Sequence, residues 1–246
     1  MKNLNLNKIK KQYNENGFVI LKNFFEKKII NLIDTDLKIL LEKKAKDKNK
    51  RFINKISHNT VNSLHNIQNW TWSRKLQKEK KIRLVVKKLL DERIDDFGSE
   101  LFAKPPKLGL AVPMHQDNNY WCLNKNNALT VWISIDKSNK NNGGLYYFKK
   151  SHKLGLLEHT PSHTPGSSQK IKYPESMVFF KKFTPILYPG DILIHNCVVV
   201  HGSEKNKSYH PRKGLTLRFK SCSSKIDTFL KKKYEIELKS QIEQRN

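Results

Sequence analysis

The sequence predicts a mainly β protein with flanking helices, its strands forming a sandwich or barrel. From Gly98 onward, short apolar segments alternate with Gly, Pro and Asn punctuation, the habit of such folds. Ahead of Gly98, two segments repeat apolar residues at helical spacing. The length of 246 residues allows one sizeable core, and all-β sandwiches and barrels of this size commonly form one domain. The expected division of residues 1–246 is therefore a single domain. A helical N-terminal part covers about 1–97, a β core about 98–222, and a C-terminal helix or tail 223–246.

In chain order, KIKKQYNEN at 8–16 reads as a short basic helix stopped by Gly17, and FVILKNF at 18–24 as a strand. A helix from about 26 to 45 carries Ile29, Ile30, Ile33, Leu37, Leu40 and Leu41 as one apolar stripe, which is core rather than a cofactor box. KAKDKNKR at 44–51 is a charged, solvated loop. The segment onward to about 78 contains His58, His65, Trp70 and Trp72 but no metal-ligand spacing. A second helix, about 79–93, turns Ile82, Val85, Val86, Leu89 and Leu90 to one face. The candidate strands are then ELFAKPP, LGLAVPMHQD, ALTVWISID, GLYYFKK, MVFFKKF, DILIHNCVVVHG and GLTLRFKS, and the chain returns to helix or tail from about 226. There is no internal repeat or long linker.

Composition narrows the function classes. A formal net charge of +26 would ordinarily point to a polyanion, but the lysines are dispersed along the whole chain, which makes a poor electrostatic footprint for nucleic acid. An A/T-rich codon bias explains lysine abundant beside asparagine and isoleucine, and an anionic small molecule stays compatible with the surplus. No apolar run has signal-peptide or membrane-spanning length, so a soluble, cytoplasmic protein with no membrane partner is expected. Cys122, Cys197 and Cys222 are odd in number and form no CxxC, which argues for reduced thiols and against a disulfide framework or zinc-thiolate site.

The chemistry centres on His115-Gln116-Asp117 in VPMHQDNNYW. Two residues apart on a strand, an imidazole and a carboxylate face the same side. With a second histidine they would make the facial triad of non-haem Fe(II) oxygenases, leaving open coordination positions for substrates. In DILIHNCVVVHGSEKN both His195 and His201 satisfy strand parity, so spacing alone does not choose. His201, at the strand end before Gly202, is the favoured partner because a strand end meets a barrel mouth. Oxidation of an unactivated C–H bond by O2 needs two further electrons, which 2-oxoglutarate supplies. Its distal carboxylate needs a cation, for which Arg212 offers a bidentate fork, and Arg218 has the same parity.

Taken together, QYNENGFVILKNF, KPPKLGLAVPMHQDNNYW, ALTVWISID, NNGGLYYFKKSHKLG and GDILIHNCVVVHGSEKNKSYHPRKGLTLRF resemble the phytanoyl-CoA dioxygenase (PhyH-like) family of Fe(II)/2-oxoglutarate oxygenases, from about Tyr13 to Phe219. The ordered His-x-Asp, later His-x-Ser and an arginine beyond it carry the resemblance. It implies a double-stranded β-helix (jelly-roll, cupin-like) fold, with Fe(II), 2-oxoglutarate and O2 as cofactor and cosubstrates. It also implies His115, Asp117 and His201 as iron ligands, and Arg212 with Ser203 on the far carboxylate of 2-oxoglutarate. Trp132 matches a residue lining the cosubstrate pocket, Lys104 and Thr130 are further candidates there, and Asn206 matches a polar motif residue that reads as a turn former. Family-related halogenases lack the carboxylate. Asp117 therefore favours hydroxylation or a related oxidation, with release of succinate and CO2, and the basic surplus favours a small, anionic metabolite as substrate. The competing readings are a non-enzymatic basic binding protein on a β-sandwich, a dioxygenase acting on nucleic acid, and an enzyme of the same fold with another metal and no cosubstrate. Arg212 and Ser203 count against the last.

Overall fold

The computed structural model describes residues 4–47, 52–57, 60–164 and 166–243. His58 and the 48–51 part of the charged loop lie outside the described residues. Helix α1 (Leu6–Asn16) is capped by the Asn5 side chain, which accepts from Lys8 N at 3.0 Å, and it ends where Gly17 takes φ 83°. Strand β1 (Phe18–Leu21) and helix α2 (Lys27–Lys46) follow, the latter burying Ile30, Ile33 and Leu37 as its stripe requires. The stretch with no readable pattern forms a hairpin, β2 (Ile53–Ser57) and β3 (Thr60–Leu64), then helix α3 (Thr71–Gln77). Helix α4 (Lys80–Leu90) buries the five apolar residues expected of it.

Beyond α4 come β4 (Ile94–Lys104), β5 (Val112–His115), the single-turn helix α5 (Asn118–Trp121), β6 (Ala128–Ser134) and β7 (Leu145–Phe148). They are followed by the hairpin β8 (His159–Thr164) and β9 (Ser167–Ile171), the two-residue β10 (Lys182–Phe183), β11 (Ile192–Asn196), β12 (His201–Ser203), β13 (Arg212–Ser221) and helix α6 (Thr228–Glu243). One sheet has the order β1-β11-β6-β13-β4-β3-β2 and the other β10-β7-β12-β5, each pairing antiparallel. This is the mainly antiparallel jelly-roll with flanking helices that the strand pattern and the family resemblance predicted.

Alternation along the large sheet divides its residues between two jobs. Leu215, Leu217 and Phe219, with Leu101, Val131 and Ile133, join the helices' apolar stripes in the main hydrophobic core. The intervening Arg212, Thr216 and Arg218, with Glu100, Phe102, Thr130 and Trp132, line a cavity between the sheets. Both faces are covered, which is why β6 is buried throughout.

Two strand expectations need correction. MVFFKKF begins in a 3-10 turn over Pro174–Phe179, opened by a proline, which leaves Phe179 88% exposed; only Lys182–Phe183 pairs. DILIHNCVVVHG is not one unbroken strand. The chain leaves the large sheet after Asn196, crosses through buried Cys197–Val200, and enters the small sheet at His201.

Candidate metal and cosubstrate site

His115 and His201 are directly opposed across the antiparallel pair β5 and β12, with ring centroids 4.3 Å apart. Asp117 arrives differently from the strand geometry expected. Strand β5 ends at His115, and Asp117 opens the turn into α5. The intervening Gln116 is buried and pins that turn, its amide donating to Gly155 O at 2.8 Å and Val198 O at 2.6 Å while its oxygen accepts from Leu157 N at 2.7 Å. One ligand atom from each of His115, Asp117 and His201 lies within 4.8 Å of the others.

Hydrogen bonding sets the state of each group. The Nδ1–H of His115 donates to Pro113 O (2.9 Å) and that of His201 to Val199 O (3.1 Å). Both rings therefore turn an Nε2 lone pair inward, the arrangement seen in metal-binding histidines. Each Nε2 is 3.7 Å from Asp117 Oδ1, too far for a hydrogen bond and suited to an intervening cation. Burial, together with the neighbouring His115 and His195 imidazoles, holds His201 well below its usual range and therefore neutral. Asp117 is held well below the carboxylate range: burial opposes ionisation, but the surrounding histidines outweigh it. Two imidazole nitrogens and an ionised carboxylate, buried at the edge of a cavity, fit a divalent transition metal such as iron.

The second carboxylate oxygen is occupied by protein. Asp117 Oδ2 accepts from Thr130 Oγ1 at 2.6 Å and from His195 Nε2 at 3.0 Å, and His195 Nδ1 in turn accepts from the Tyr147 hydroxyl at 3.0 Å. The two histidines that parity left equivalent are thereby separated. His195 braces the aspartate, whereas His201 joins the convergent set. Sequence reasoning gave neither His195 nor Tyr147 this role. A polar residue alternating with Ile192 and Ile194 inside a buried strand was the available signal.

At the other end of the cavity, Arg212 is 1% exposed, and its guanidinium lies 5.0 Å from the Trp132 ring. One nitrogen donates to Gly143 O at 2.8 Å, while Nε and Nη1 have no partner among the described residues. Buried arginine donors without acceptors mark a place for an anion. Lys104, cross-strand from Arg212, donates to Ser203 Oγ at 2.7 Å and Glu204 O at 2.6 Å. Burial and the adjacent Arg212 push the Lys104 ammonium down to about 5. Trp132 can lie flat here because Gly214 has no side chain; a Cβ there would sit 1.7 Å from Trp132 Cζ2. Thr130 lines the cavity, but its hydroxyl is committed to Asp117. Asn206 stays outside the cavity lining and holds the turn, its amide donating to Pro105 O at 3.0 Å and His210 O at 2.8 Å.

The cavity has a volume of about 830 Å³. Its outer half contains Glu100, His65 and Arg218; in the sequence, Arg218 was weighed as an alternative to Arg212, His65 was set aside for want of metal-ligand spacing, and Glu100 was not singled out. Glu100 shares strand parity with Lys104, so its inward direction was readable.

Comparison with known proteins places this geometry. The sequence pattern of the phytanoyl-CoA dioxygenase (PhyH) family matches residues 13–214. The peroxisomal phytanoyl-CoA dioxygenase of Mus musculus is 26% identical over 129 residues, covering 49% of this chain and only 38% of that protein. The Homo sapiens enzyme of the same name is 22% identical over 231 residues, 87% of this chain and 68% of that protein. The crystal structure of EctD from S. alaskensis with 2-oxoglutarate and 5-hydroxyectoine superposes with a TM-score of 0.77 at 18% identity, covering 89% of this chain and 77% of that one, and so shares the fold. The chain belongs to the phytanoyl-CoA dioxygenase (PhyH) family, whose members are dioxygenases that use Fe(II), 2-oxoglutarate and O2.

Proposed function

We propose that this chain is a single-domain, cytoplasmic hydroxylase of a small metabolite bearing an anionic group, with His115, Asp117 and His201 as iron ligands and Arg212 with Ser203 as the clamp on 2-oxoglutarate. The observation that carries the reading is the convergence of the two Nε2 atoms and Asp117 Oδ1 in one cavity with a buried Arg212 that has two unpaired donors. Iron with 2-oxoglutarate and O2 supplies a two-electron oxidation of a C–H bond, with succinate and CO2 as coproducts.

The protein's part is binding, orientation and exclusion of water. Pro113 and Val199 carbonyls lock both imidazoles with Nε2 inward, and Thr130 and His195 hold Asp117 so that Oδ1 faces them. Arg212 meets the distal carboxylate as a fork. Because Lys104 donates to Ser203 Oγ, the Ser203 hydroxyl proton is left for that carboxylate. Trp132 walls the same end and keeps it dry. An anionic substrate group is supported by Arg218 in the outer cavity and by the net charge of +26. Cytoplasmic placement is supported by three free cysteines.

Succinate release from 2-oxoglutarate under air, with Fe(II) and ascorbate, tests the reading. Asp117→Ala and His201→Ala should each lower it at least about a hundredfold. Wild-type release by either variant would remove the ligand assignment.

A further inference from the structure

The outer half of the cavity holds two opposite charges with unused hydrogen-bonding capacity. Glu100 accepts from His65 Nδ1 at 2.7 Å through Oε1 alone, and among the described residues its Oε2 has no hydrogen-bond partner. His65 is wired to donate there, because its Nε2 accepts from Asn54 Nδ2 at 2.8 Å. Arg218 comes no closer to Glu100 than 3.7 Å and donates no hydrogen bond to any described residue, and its Nε is buried without a partner. Five donors left unspent on a side chain only 14% exposed is unusual for a structural arginine.

Its position is nevertheless built. The guanidinium lies on Gly98, where a Cβ would sit 2.4 Å from Nε and Nη2, and Phe97 and Trp121 flank it at 5.6 and 5.9 Å. Arg218 is also the cross-strand partner of Thr130, whose hydroxyl holds Asp117. The six-residue run of β13 from Arg212 to Arg218 spans roughly 20 Å. The cosubstrate clamp thus occupies one end of the inward face and the Glu100–Arg218 pair the other. Burial pushes the Glu100 carboxyl up, but Arg218 and His65 outweigh it and hold it at about 2, so both charges are present at neutral pH.

We infer that the outer cavity recognises a zwitterion of amino-acid type, its carboxylate taken by the free fork of Arg218 and its ammonium by Oε2 of Glu100. This deepens, and rests on, the oxygenase reading. A purely anionic molecule would face Glu100, a purely cationic one would leave Arg218 unpaired, and a neutral polyol would satisfy neither. A molecule with both charges fills both positions and leaves its carbon skeleton toward the His115–Asp117–His201 set. A site built on such pairing rejects analogues that lack one partner far more strongly than an apolar pocket rejects a missing methylene.

The test uses the full chain with Fe(II) and 2-oxoglutarate. The probes are the proteinogenic amino acids and their N-trimethyl betaines, each beside its N-acetyl derivative (anion only) and its carboxamide (cation only). Readouts are probe-stimulated succinate release and the anaerobic melting shift. At least one zwitterion should stimulate release, with its two single-charge derivatives weaker by about tenfold or more. Glu100→Gln should shift preference at least about tenfold toward the N-acetyl derivative, and Arg218→Gln should shift it toward the carboxamide. Opposite shifts separate recognition from a merely structural loss, which would lower all probes together. Preference for a single-charge or neutral probe, parallel losses in both variants, or no response to any zwitterion while the visible iron–2-oxoglutarate band is present would overturn this inference alone. Absence of that band would sink the oxygenase reading and this inference with it.

Discussion

Replacing Thr130 with valine removes one hydroxyl and keeps a β-branched side chain in the middle of β6, so the strand and its packing are retained. The lost bond is short, 2.6 Å to Asp117 Oδ2, and its acceptor is ionised in a buried site. Hydrogen bonds to charged groups contribute about 1.5–3 kcal/mol. His195 still donates to the same oxygen at 3.0 Å, so Oδ2 is not orphaned and the lower part of that range applies. The carboxylate gains freedom to rotate Oδ1 away from the two Nε2 atoms. Fe(II) affinity should therefore fall roughly tenfold, equivalent to about 1.4 kcal/mol, within the 10–100-fold typical of groups that orient a metal ligand. His195→Leu beside Thr130→Val should cost more than the two changes summed, since together they strip the oxygen of both donors. Anaerobic titration with Fe(II), followed by tryptophan fluorescence, measures the affinity, and thermal melting controls for folding. Fe(II) binding by Thr130→Val within twofold of wild type would refute the claim that Thr130 orients Asp117.

Gly214→Ala should drive Trp132 off its seat, because the new Cβ would fall 1.7 Å from the indole. Overpacking of this kind costs about 1–3 kcal/mol, a drop in melting temperature of roughly 2–4 °C per kcal/mol, and the displaced wall should weaken 2-oxoglutarate binding. An unchanged melt and affinity would show that Trp132 repacks freely. Lys104, with its ammonium at about 5, is mostly neutral at pH 7 before a dianion arrives. Binding of 2-oxoglutarate beside it raises that value, so complex formation should take up close to one proton, and affinity should weaken as pH rises above about 5 until the bound-state value is reached. Calorimetry at pH 7 in two buffers of different ionisation enthalpy measures the uptake. Zero uptake, or an equal uptake in Lys104→Met, would contradict it.

Much of this site follows from alternation alone. Arg212, Thr216 and Arg218 on β13, and Glu100 and Phe102 on β4, face the cavity because every second residue must, while Leu215, Leu217 and Phe219 face the helices. Parity could not reveal that the chain changes sheets between Asn196 and His201, because a period of two carries no record of which sheet a strand joins. It is that crossing which sets His195 behind Asp117 and His201 beside it. The β8–β9 hairpin was missed because HTPSHT and SSQKI are polar and lack an apolar repeat. MVFFKKF misled in the opposite sense, since Val178 and Phe179 lie in a 3-10 turn and are exposed rather than paired. Asp117 reached the expected place by an unexpected route, through a turn pinned by Gln116.

The central claim is that one cavity joins an iron site to a 2-oxoglutarate clamp through Arg212. Its most direct test is the anaerobic addition of Fe(II) and then 2-oxoglutarate to metal-free protein, watching for the weak visible metal-to-ligand charge-transfer band. The account predicts a band in wild type that needs at least about tenfold more 2-oxoglutarate in Arg212→Ala, whose remaining pocket has lost a charge-assisted fork. No band in folded protein that binds iron, or a band with equal 2-oxoglutarate dependence in both proteins, would contradict it.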